Sequence, residues 1–176
     1  LATNFTGTLT LNTDSVLTVG ENDLFVAGGT MNAANGRVNI DGSFTLTSSA
    51  TYSASVYRTY ASGNWNNQGG SFIDNGGSVI FNGSSDQDFE TGGTSSTQDF
   101  YRVVLEKTGG TLYLLSNVKT LENFEVRGSS AIDVQGRTMT IGNDLMIYGT
   151  VTLLGGEPIT YAGVLTNQGT VNYVGT

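Results

Sequence analysis

Asp86, Asp88 and Glu90 alternate along the chain, and on an extended strand alternate residues share one face. Three carboxylates so placed have the chemistry to bind a hard cation such as Ca²⁺ through oxygen. A pair of them could instead serve as the acid and base that cleave a glycosidic bond. Unassociated, they form a solvated acidic loop. The neighbouring tracts Gly83-Ser84-Ser85 and Thr91-Gly92-Gly93-Thr94-Ser95-Ser96-Thr97-Gln98 have the composition of a protruding loop or an irregular coil. The solvated loop is therefore the expectation, with Ca²⁺ the one cofactor left open. A second group, Tyr52, Tyr57, Tyr60 and Trp65, gathers ring surface in a short polar stretch. Such rings either stack on the flat faces of sugars, as a surface glycan would require, or cover a loosened coil or an interface.

Other familiar chemistries are missing their residues. The chain has no Cys and no His, which removes disulfides, thiolate metal sites, and the commonest general base and metal ligand. Gly69-Gly70 and Gly76-Gly77 lack the Lys-Ser/Thr of a phosphate-binding loop. Asp41-Gly42, Asp74-Asn75-Gly76 and Asn143-Asp144 read as turns. No catalytic residue is assigned, and the chain is expected not to be an enzyme. A net charge of -8 argues against nucleic acid as a partner, and no apolar run is long enough for a membrane-spanning helix. Low charge with abundant Thr, Asn, Gly and Ser suits a secreted or cell-surface protein. The chain opens at Leu1 without Met or a basic-then-apolar leader, as expected of a processed product or a piece of a longer protein.

The elements that would hold these groups repeat. Apolar or alternating runs begin near Leu112, Val118, Phe124, Ile132, Met139, Leu145, Val151, Ile159, Val164 and Val171. Every third run recurs after about 20 residues, within the range of solenoid periods. Leu9, Leu17, Leu24, Met31, Val38, Phe44 and Tyr52 keep nearly the same interval. Within the runs, as in Thr8-Leu9-Thr10-Leu11 and Thr150-Val151-Thr152-Leu153, the alternation is that of half-buried strands. Gly, Asn and Asp between them permit sharp corners, and Gly every few residues excludes long helices. An antiparallel β-sandwich also uses short, evenly spaced strands, but gives no reason for a three-strand period. In a parallel β-helix, residue i stacks on its counterpart one coil later, so the period is a physical requirement.

The expectation is thus an all-β solenoid, a parallel β-helix with about 20 residues and three short strands per coil. It would have eight to nine coils in a single domain over 1–176, with irregular or inserted coils around 52–99. There the rhythm is loosest, although Phe44 to Trp65 and Val79 to Phe100 still keep the interval.

The stretches Gly63-Asn64-Trp65-Asn66-Asn67-Gln68-Gly69-Gly70, Gly77-Ser78-Val79-Ile80-Phe81-Asn82-Gly83 and Phe100-Tyr101-Arg102-Val103-Val104-Leu105-Glu106-Lys107-Thr108-Gly109-Gly110-Thr111-Leu112 resemble repeats of large bacterial surface proteins, adhesin-like and haemagglutinin-like. The likeness continues through Ser116-Asn117-Val118 and Ile132-Asp133-Val134-Gln135-Gly136-Arg137-Thr138-Met139-Thr140-Ile141-Gly142. It implies a right-handed parallel β-helix and a surface location, without naming a ligand.

Stacked coils leave unpaired strand edges at their ends, and such edges recruit further strands unless capped. The functional expectation is therefore a structural extracellular protein, a surface scaffold or a subunit of a fibre that stacks end to end. Its partners would be other copies or adjoining coils of a longer chain. A carbohydrate-binding adhesin segment is the alternative, and a polysaccharide lyase-like enzyme the second alternative.

Overall fold

A computed structural model describes residues 3–175; Leu1, Ala2 and Thr176 lie outside the described residues. Strands, turns and bends account for all regular structure among them, with no helix. Coil 1 consists of β1 (Thr3–Phe5), β2 (Thr8–Thr10) and β3 (Val16–Val19), coil 2 of β4 (Leu24–Val26), β5 (Gly29–Asn32) and β6 (Arg37–Ile40), and coil 3 of β7 (Phe44–Leu46), β8 (Ala50–Ser53) and β9 (Arg58–Ala61). Coil 4 holds β10 (Trp65–Asn67), β11 (Ser71–Ile73) and β12 (Ser78–Phe81), and coil 5 only β13 (Gln87–Glu90) and β14 (Arg102–Leu105). Coils 6 to 8 are β15 (Thr111–Leu114), β16 (Val118–Thr120), β17 (Phe124–Val126); β18 (Ala131–Asp133), β19 (Met139–Ile141), β20 (Leu145–Ile147); and β21 (Thr150–Leu153), β22 (Ile159–Tyr161), β23 (Leu165–Asn167), followed by β24 (Thr170–Tyr173).

Every one of these pairings is parallel, and each joins a strand to its counterpart one coil away: Leu24 to Phe44, Phe44 to Trp65, Ile132 to Val151, Val151 to Val171. The molecule is a β-solenoid of about 8 coils. The antiparallel sandwich is excluded by these registers. The first face is a nine-stranded sheet from β1 to β24 and the third an eight-stranded sheet from β3 to β23. The second face is split into β2-β5-β8-β11 and β16-β19-β22. Residues 91–101 fill the gap without a strand, yet they hold both neighbours: Phe72 N donates to Thr97 O at 2.7 Å, and Phe100 bridges Thr120.

The pattern of the strands explains the stacking. Their apolar alternates, such as Leu24, Val26, Val38, Ile40, Leu112 and Leu114, point inward and are buried, while the intervening Thr and Asn are half-exposed. Each buried Leu, Ile, Val or Phe contributes about 1.5–3 kcal/mol. Through coils 3 to 5 the interior is aromatic. Phe44 meets Trp65 at 4.3 Å, Trp65 meets Phe72 edge-on at 5.5 Å, and Phe72 meets Phe100 at 4.7 Å between ring centroids.

Two devices fix the corners. At Gly63 an added Cβ would overlap the carbonyl of Gly42, and at Gly42 that of Asn22, so glycine permits the coils to close to strand spacing there. Elsewhere a side-chain oxygen accepts the N–H of the residue one coil further on. Asp23 accepts from Ser43, Asn64 from Asp88 and Asp86 from Thr111, each at 2.8 Å. Asn117 accepts from Thr138 at 2.9 Å, Asn123 from Asp144 at 3.0 Å and Asp144 from Val164 at 2.8 Å. In these six the acceptor lies in the earlier coil, whereas Ser116 and Ser130 accept from Thr91 N and Lys107 N of the coil before, each at 2.8 Å.

The coil runs in register through β8 to β12, where the sequence rhythm is loosest. Its departures come later. Val79 pairs with Val103, not with Phe100, and Trp65 with Phe89, so the repeat lengthens here. The extra residues widen the corners at 82–86 and 106–110.

Candidate functional site

The three acidic residues do not converge. Asp86 lies in the corner before β13, where it accepts from Thr111 N. Asp88 and Glu90 both point outward from β13, because Gln87 and Phe89 occupy its inward positions. They line a trough of about 360 Å³ on the first face with Ser43, Thr45, Asn64 and Asn66. Glu90 also accepts from Gly92 N at 3.1 Å. Among the described residues no three Asp, Glu, His or Cys side chains gather as a metal ion would need.

The aromatic group divides. Tyr52 and Trp65 are fully buried and offer no ring to a ligand, since both fall on inward positions of β8 and β10. The Tyr52 hydroxyl pairs with Thr59 Oγ1 at 2.9 Å, and its burial pushes the phenol well above its ordinary range. Tyr57 is 47% exposed and Tyr60 is half-buried on the outer surface of the third face.

Around Tyr57 and Tyr60 the register assembles a site that sequence reasoning misses. Arg37 opens β6 and Arg58 opens β9, and the pairing of Val38 with Thr59 sets the two arginines side by side, one coil apart. The Arg37 guanidinium lies 5.7 Å from the centroid of the Tyr57 ring, a cation–π contact. Arg58 donates to the Tyr60 hydroxyl at 3.2 Å, and this bond holds its guanidinium firmly charged. The four side chains line a trough of about 390 Å³. An adjoining trough of about 380 Å³ shares Tyr60 and is lined by Thr18, Asn39, Asp41 and Asn82. Among the described residues neither arginine has a carboxylate within ion-pair distance, whereas Arg102, Lys119 and Arg127 do. A signal for the pair exists in the sequence: Arg37 and Arg58 stand one period apart, as Phe44 and Trp65 do.

Further along the third face, cations are neutralised. Glu125 takes Arg102 at 2.9 Å and Arg127 at 2.8 Å, and Arg127 also contacts Glu106. Burial pushes the Glu125 carboxyl upward, but the hydrogen bonds and charges of Arg127 and Arg102 outweigh it and hold the group below the usual carboxylate range. Ile80 and Val104, outward by register with Tyr60 and Glu125, are nonetheless buried.

One buried cation has no carboxylate at ion-pair distance among the described residues. Lys107, 2% exposed, occupies the widened corner, where Nζ donates to Gln87 Oε1 at 2.6 Å and Ser85 O at 2.9 Å. Gln87 in turn donates to Gly63 O at 2.5 Å and Ala61 O at 3.2 Å. Desolvation lowers the Lys107 pKa, and Asp86 offsets this in part. The pair supplies donors to the corner carbonyls Ser85 O and Gly63 O, a structural task. No helix among the described residues is long and apolar enough to cross a membrane. The chain matches no family model, and no curated protein or solved structure matches it significantly.

Proposed function

We propose that this chain is a structural β-solenoid, a rigid segment of an extracellular surface scaffold or fibre that lengthens by adding coil upon coil at its ends. The observation that carries this reading is the exposed interior at the last coil. A cavity of about 170 Å³, lined by Leu145, Ile147, Val151, Leu153, Ile159 and Leu165 among others, opens beyond β22 and β23. Around it Leu165 is 44% and Tyr173 72% exposed. These residues belong to the pattern that is buried in every inner coil, and among the described residues the edges of β22, β23 and β24 have hydrogen-bonding groups free for another strand. The eight coils give a rod of roughly 40 Å at the usual strand spacing, and a heterologous contact of one end on the next builds an open filament.

The test is light scattering with negative-stain imaging across a concentration series. Rods longer than one chain, growing with concentration and suppressed by Leu165→Asp with Val171→Asp, are the expected result. Monodisperse single rods at every concentration would overturn the reading.

A further inference from the structure

We propose that the third face over coils 2 to 4 binds an acidic oligosaccharide, with Arg37 and Arg58 holding its anionic group. Four observations converge on this ligand, independently of whether the rod stacks end to end.

Among the described residues neither guanidinium has a carboxylate at ion-pair distance, in a chain whose net charge is -8, although carboxylates elsewhere on the same sheet pair with Arg102 and Arg127. Each is held in place by its own tyrosine, Arg37 over the Tyr57 ring and Arg58 on the Tyr60 hydroxyl, so little side-chain freedom is left to lose on binding. Guanidinium forks match the paired oxygens of a carboxylate or sulfate.

The ligand must also carry hydroxyls. The adjoining trough presents an amide at Asn39 and at Asn82, a hydroxyl at Thr18 and a carboxylate at Asp41, a donor and acceptor set suited to a polyol and hostile to a second anion. Tyr60 lies between the two troughs, where a ring can lie against the apolar face of a pyranose. Together the troughs are of the size that small ligands occupy. A bare phosphate or an acidic peptide would use the arginines and leave the amide and hydroxyl trough unmatched. A uronate-bearing or sulfated sugar uses both.

Isothermal titration of the whole chain tests this with four probes: an oligogalacturonate, a heparin-derived oligosaccharide, a neutral oligoglucan and poly-glutamate. Binding by either acidic sugar, weakened by added salt and absent for the neutral glucan and poly-glutamate, is expected, and the sugar that binds identifies the anion as carboxylate or sulfate. Arg37→Ala and Arg58→Ala should each weaken binding at least about tenfold, Arg58→Lys should not restore it, and Arg137→Ala, which removes an equal charge at an exposed site elsewhere, should leave it unchanged. Unaltered far-UV circular dichroism in these surface variants keeps a loss of binding distinct from a loss of fold. The proposal fails if neither acidic sugar binds, if poly-glutamate binds equally well, or if the Arg37→Ala/Arg58→Ala double variant retains affinity.

Discussion

Coils 3 to 5 and coils 6 to 8 share one backbone path and fill it differently. In the first group seven rings, from Phe44 to Phe100, contact one another in a continuous aromatic stack. In the second the interior is Leu, Ile, Val and Met with Phe124. The aliphatic coils keep the shorter repeat, as from Phe124 to Leu145 and from Ile132 to Val151. At the boundary between the groups the repeat lengthens, the second face loses a strand, and a buried Lys–Gln pair lines the corner. Small branched side chains interchange along a solenoid with little change of cross-section, whereas rings must be matched to particular neighbours. The irregular coil is thus where one manner of packing gives way to the other.

Substitutions can break that contrast in graded steps. Trp65→Ala should have the largest effect, a loss of about 3–5 kcal/mol, since Trp65 touches Phe44, Tyr52, Phe72, Phe81 and Phe100; urea unfolding followed by circular dichroism measures it. Trp65 is also the single tryptophan, so its fluorescence in the native chain reports the aromatic coils alone. A fluorescence midpoint displaced from the circular-dichroism midpoint would show the two groups unfolding separately.

Lys107→Met comes next, at about 1–3 kcal/mol, because Ser85 O and Gln87 Oε1 lose their donor. It should also alter the pH profile. The folded pKa of Lys107 is lowered, so between that value and the ordinary lysine range, about 10.4, the unfolded chain binds more protons and stability rises with pH. The variant should lose this rise. Tyr52 has the opposite sign: its raised pKa keeps it protonated when folded, so stability falls as pH passes the ordinary tyrosine value, about 10, and Tyr52→Phe should remove that fall in alkaline denaturation curves.

Glu125→Gln sharpens the acid side. Glu125 has a depressed folded pKa, so its contribution is complete above the ordinary glutamate range, about 4.3, and disappears as pH falls through the folded value. Melting temperatures of the variant should decline less steeply below that range. The smallest effect is expected at Ile132→Val in the aliphatic group, about 0.5–1.5 kcal/mol; a loss as large as that of Trp65→Ala would erase the distinction between the two packings.

Much of this architecture is legible in the sequence because stacking imposes a period. Phe44 and Trp65 match by spacing alone, and they pair. Spacing misleads at Val79, whose partner is Val103 and not Phe100: the added residues lie in corners that carry no alternation to count. Gln87 and Lys107 are illegible for a related reason, since polar residues at inward positions resemble surface until a widened corner encloses them. Tyr52 and Trp65 look like ligand platforms because their neighbours are polar, yet each sits on the inward phase of its strand. Tyr57 escapes that phase by lying in a corner. The arginines beside it become a pair only through register, which charge counting along the chain does not show.

The side-chain acceptors that reach from one coil to the next at several corners have a mechanical consequence. Because each ties one turn to its neighbour, most with the acceptor in the earlier coil and Ser116 and Ser130 with the acceptor in the later one, tension applied between the ends of the rod would strip it one turn at a time. A coil of about 21 residues would release about 70 Å of contour, and the enlarged coil between Val79 and Val103 somewhat more. Stretched singly, the molecule should extend in a staircase with one long tread.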